Sequence, residues 1–146
     1  MLHPRWLQLA RATGVFVATG WLTAVAVQLT NSDASTGFVM TCPATRRAAG
    51  VGLAIGIVWA PLAAWSQGSV YLRATAGLMA GLLAQLTGCY VYFLVWPPQW
   101  DPGSTFKIVQ LFLATYGPHV LPISAVSGVL ASLWAGRVPS PSIEDA

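Results

Sequence analysis

One histidine stands apart in this chain. His119 lies in the run Tyr116-Gly117-Pro118-His119-Val120-Leu121-Pro122, and it is the only His, Asp, Glu, Lys or Arg inside four long apolar stretches. An ionisable group placed in hydrocarbon must be compensated, so it marks a functional site by default. An imidazole there can act as a general base toward a hydroxyl. It can equally sit as a neutral ring, hydrogen-bonded to Tyr116 or to a carbonyl freed by the flanking prolines. The residue type alone leaves both roles open. The flanking prolines loosen the helix and favour a small polar pocket at this point.

Other chemistries find less material. Haem ligation asks for a second axial residue within a span, and His3 stands near the N-terminus. Proton or ion transport asks for a carboxylate in the membrane, and the stretches hold none. Gln28, Gln85, Gln110 and the span Ser and Thr residues can hydrogen-bond but cannot hold a metal strongly. Cys42 and Cys89 are too few for a disulfide framework and lack metal-type spacing. They read as two separate thiols, with a single bridge as the alternative. No cofactor or metal is expected on these grounds.

The elements that carry these residues follow from where charge is absent. Residues 12–29, 48–65, 74–96 and 108–136 contain no Asp, Glu, Lys or Arg, and all eleven charged side chains fall outside them. Each stretch is close to or beyond the roughly 20 apolar residues that cross a bilayer core. A soluble helix of this length would keep a charged, wet face. The chain is 55% hydrophobic and 8% charged, with a mean hydropathy of +0.64, whereas soluble domains are about a quarter charged. The fold class expected is an all-α integral membrane protein, a bundle of four transmembrane helices in one domain over residues 1–137. Residues 138–146, Pro/Ser-rich and then acidic, read as a disordered tail.

The net charge of +3 does not make this a nucleic-acid binder. Its cations sit at span ends, where they meet headgroups, and they form no stripe that could follow phosphates. Four arginines (Arg5, Arg11, Arg73, Arg137) fall on one side against Arg46, Arg47 and Lys107 on the other, which favours both termini in the cytoplasm. Ala24-Val25-Ala26 offers a small-x-small signal-peptidase pattern, but the apolar run continues past it to full spanning length. Residues 66–73 read as a tight turn. Residues 97–104, rich in Pro and carrying Trp100, read as a non-helical interfacial cap. The last span is about 29 residues long, and Gly117-Pro118 with Pro122 predict a kink or break in it. Small residues recur at Gly52 and Gly56, and at Gly77, Gly81, Ala84 and Gly88, so each set lines one helix face. Such faces pack helices within a bundle or form the seam of a homo-oligomer or of a complex with other membrane subunits.

The order of an apolar helix, a Trp/Pro-rich loop and a helix with His followed by Leu-Pro resembles the androgen-induced membrane hydrolases over residues 88–127. That resemblance implies an intramembrane Thr nucleophile paired with His119 in the cleavage of lipid esters, with Thr41 or Thr45 as the nucleophile. The same segment, with its Tyr-Gly and its His-to-Pro spacing, also resembles the small four-span anthrone-oxygenase-type proteins, which implies a cofactor-free oxygenase. The residues themselves favour a small, non-catalytic polytopic bundle or a subunit of a membrane complex in the lipid bilayer. A lipid-phase enzyme centred on His119 is the alternative.

Overall fold

The computed structural model describes residues 4–31, 43–66, 68–95 and 101–136. They form four helices: α1 (Pro4–Asn31), α2 (Pro43–Ala64), α3 (Val70–Val95) and α4 (Pro102–Ala135). All four are long and apolar enough to cross a membrane, and no strand occurs among the described residues. The protein is an all-α, multi-pass membrane bundle. Residues 138–146, expected as a tail, lie outside the described residues.

The distribution of side-chain size shows which solvent the bundle is built for. Among the described residues its interior is mostly Ala, Gly, Ser and Thr; Phe16 is the one large ring buried with them, and the largest side chain less than 2% exposed is Val120. The large apolar residues point outward: Ile57, Val58, Leu111, Val126 and Leu130 are all more than half exposed. In water this arrangement would forfeit the hydrophobic effect, which buries the large side chains first. In lipid no such force acts between helices. Close backbone approach and dispersion hold them together instead, and small residues permit that approach.

Two seams show the approach directly. Between α1 and α2, a Cβ on Gly20 would lie 2.7 Å from the Ala48 carbonyl oxygen, and one on Gly52 would lie 2.9 Å from that of Phe16. Between α3 and α4, a Cβ on Gly77 or Gly81 would run into the backbone of Gly128 or Ser124. The small-residue faces at Gly52 and at Gly77/Gly81 are therefore spent within the molecule. These two seams are the most extensive helix contacts; α1–α4 and α2–α3 close the ring, and the diagonal pairs touch least. Trp59 Nε1 donates to Thr87 Oγ1 at 3.0 Å, tying α2 to α3.

Several boundaries differ from the charge-free stretches, for one physical reason. The helices continue past the hydrocarbon into the interface, where Arg5, Arg46, Arg47, Arg73 and Lys107 are helical. Residues 102–104 belong to α4 and not to a non-helical cap. Asp101 is its N-cap, accepting from Gly103 N (2.9 Å), Ser104 N (3.0 Å) and Ser104 Oγ (2.6 Å), and Pro102 supplies the favoured first position. The break expected near Pro118 does not occur, since α4 is one helix of 34 residues. Pro118 and Pro122 both lie on its exposed face, so their rings occupy lipid and not the helix seam. The α2–α3 turn is short and contains Gly68 at φ 111°, a conformation that glycine alone adopts freely.

The start of α1 and the end of α4 share one end of the bundle, where the Arg11 guanidinium lies 5.6 Å from the ring centroid of Trp134. Ser132 Oγ donates to the Arg73 carbonyl at 2.7 Å and lies 3.3 Å from Ser66 Oγ, fixing the α2–α3 turn against α4. The Arg73 side chain reaches in against Gly136, just beyond the last turn of α4. A cation there is favoured by the helix dipole.

Candidate functional site

The seams leave a space between them. A cavity of about 320 Å³ opens among all four helices, in the half of the bundle away from Arg11 and Arg73. Its volume is at the lower end of the range for small-molecule sites. It exists because the residues around it are short: Gly20, Ala24, Ala48, Gly52, Ala84 and Gly88 contribute little or no side chain. A Cβ on Gly88 would meet only Val51 Cγ1, at 4.0 Å.

One wall is aromatic. Tyr92 and Phe93 stand edge to face at 5.4 Å, Phe93 meets Phe112 at 5.4 Å, and Phe112 meets Tyr116 at 5.1 Å. All four rings line the cavity. This chain of contacts braces α3 against α4 above the point where the glycine seam ends.

The polar part is small and centres on Gln85, whose side chain is only 9% exposed. Ser124 Oγ donates to Gln85 Oε1 at 2.6 Å, and Thr23 Oγ1 approaches the same oxygen at 3.5 Å. Gln85 Nε2 donates to Cys89 Sγ at 3.1 Å, one turn along α3. Three helices thus meet at one amide. Ser124 also lies 3.0 Å from the Val120 carbonyl, and Thr19 Oγ1 donates to Val15 O at 2.8 Å. No charged side chain lines the cavity. Cys89 is a free, buried thiol.

The structure places the sequence-derived candidates elsewhere. His119 is exposed on the outer face of α4, beside Pro118 and Pro122, and it does not line the cavity. No hydrogen bond joins it to any described residue. The reason is helical phase: Gly117, Val120, Ser124 and Gly128 face the bundle, and a residue two positions from Gly117 turns about 200° away. Thr45 is fully buried near the start of α2. His119 is seventeen residues along α4 from Pro102, about 26 Å of rise. Thr41 lies outside the described residues. Among the described residues no three His, Cys, Asp or Glu side chains cluster as metal ligands.

The site therefore defines a class of protein: a four-span membrane bundle with a partly open, largely apolar chamber between its helices and no charged residue in the lining. No protein family, curated protein or solved structure matches the chain.

Proposed function

We propose that this protein is a non-catalytic membrane bundle that holds a small neutral lipophile in the chamber between its helices. The observation that carries this reading is the cavity itself, bounded by all four helices and lined almost entirely by apolar and small side chains. The enzyme reading needs a nucleophile beside a base. His119 faces outward and Thr45 is packed away, so the geometry favours binding over hydrolysis or oxygenation. Arg5, Arg11, Arg73 and Arg137 fall at one end against Arg46, Arg47 and Lys107 at the other, a bias that favours the first end in the cytoplasm and the cavity in the opposite half of the bilayer.

The test is to fill the chamber without disturbing the seams. Gly88→Phe introduces a ring where a Cβ meets nothing closer than 4.0 Å. Binding of undecane and 2-undecanone to the protein in lipid nanodiscs should fall about tenfold or more in this variant. Its thermal midpoint should hold, because the ring replaces empty space. His119→Ala should bind both probes as the unaltered protein does. Equal binding by Gly88→Phe, or loss of binding in His119→Ala, would refute the reading.

A further inference from the structure

We infer that the chamber selects a lipophile ending in a carbonyl oxygen, of the ketone or aldehyde type, which accepts a hydrogen bond from Gln85 Nε2. This rests on the chamber being a binding site and adds the chemistry of what it takes.

The orientation of the Gln85 amide decides the argument. The carbonyl oxygen of Gln85 accepts from Ser124 Oγ at 2.6 Å, and its NH2 group faces Cys89 Sγ. An amide nitrogen carries two protons. One goes to Cys89 Sγ at 3.1 Å, and the other has no partner among the described residues. An unpaired N–H in a side chain this buried is costly, more so where the surroundings are lipid and not water. An acceptor from a ligand removes that cost.

The other polar ends fit less well. A carboxylate would bring a charge into a chamber that has no cation to meet it. An alcohol could also accept from Gln85, but it fits only where its own proton reaches a second oxygen, such as that of Thr23 or Thr19, in the same pose. A pure hydrocarbon would leave the amide proton bare. A carbonyl oxygen needs one donor and offers no proton. The chamber's volume of about 320 Å³ leaves room for an apolar chain behind that oxygen.

Matched probes test this. 2-Undecanone, undecane and undecanoic acid are to be titrated into the protein in nanodiscs, with the carbonyl stretch of bound 2-undecanone read by infrared difference spectroscopy. The ketone should bind about tenfold more tightly than undecane, one hydrogen bond's worth. Its C=O stretch should shift to lower frequency. In Gln85→Leu the preference should vanish while undecane still binds. The comparison of ketone with alkane in the unaltered protein stands even if that variant fails to fold. Equal affinity for ketone and alkane, an unshifted stretch, or tightest binding of the acid would overturn the carbonyl assignment and leave the chamber intact as a site. Failure of both ketone and alkane to bind would overturn the chamber reading itself.

Discussion

Gly128→Leu and Gly81→Leu should each unfold the bundle well below the midpoint of the unaltered protein. The α3–α4 seam is backbone against backbone. A Cβ on Gly128 would strike the Gly77 carbonyl oxygen and lie 2.8 Å from both Cα and N of Gly81. One on Gly81 would strike the Ser124 carbonyl oxygen and lie 3.1 Å from Gly128 Cα. Flexible side chains can rotate away from an intruder, but two helix backbones can only separate. Separation would open the seam along its length and misplace Ser124, the donor to Gln85. The cost should reach or exceed the ~1–3 kcal/mol typical of overpacked cores. Gly14 provides the contrast, since it is exposed and a Cβ there meets nothing within 4 Å. Gly14→Ala should be neutral or stabilising by up to about 1 kcal/mol, from helix propensity alone. Thermal or denaturant unfolding in detergent ranks the three variants. If Gly81→Leu and Gly128→Leu are as stable as Gly14→Ala, the α3–α4 contact described above is wrong.

How much of this was legible in the sequence depends on which force left the record. The bilayer excludes charge, so the four spans are written plainly as charge-free stretches. Their ends are not, because Lys107 or Arg73 is as helical in the interface as its apolar neighbours are in the core. The Gly77/Gly81 face was readable from spacing. Its partner Gly128 was not, since nothing in a linear sequence says which two faces meet. The site divides in the same way. His119 drew attention by residue type, yet the small residues Gly117, Ser124 and Gly128 around it already marked the inward face of its helix and put His119 off it. Gln85 was visible as a hydrogen-bonding residue in an uncharged span, one turn before Cys89 and flanked by Gly81, Ala84 and Gly88. That combination was the available signal. What turns it into a site is a void bounded by short side chains on four separate helices, and a void has no residues of its own to read.

The start of α4 offers a second large and local effect, this time outside the hydrocarbon. Asp101→Ala should release the first turn of the longest helix. One carboxylate holds two otherwise unpaired helix N–H groups, those of Gly103 and Ser104, and also accepts from the Ser104 hydroxyl. The Ser104 hydroxyl bond, then the backbone bonds from Ser104 and Gly103, hold the Asp101 carboxyl below the usual carboxylate range. The sign follows from linkage. A carboxyl whose pKa is lower folded than unfolded adds stability above its unfolded pKa and loses it as pH falls through the folded value. The cap is therefore complete at neutral pH and is lost only on strong acidification. Hydrogen exchange at single amides reads this directly. In Asp101→Ala at neutral pH, Gly103 and Ser104 should exchange severalfold faster. Thr105, whose N–H donates to the Asp101 backbone carbonyl at 2.9 Å, should change much less. Acidifying the unaltered protein should reproduce the pattern, and Asp101→Asn, which keeps an acceptor oxygen, should recover part of the protection without the pH dependence. If Gly103, Ser104 and Thr105 all exchange as before, the cap contributes nothing. If all three quicken equally, the loss is of the whole helix start and not of the carboxylate bonds.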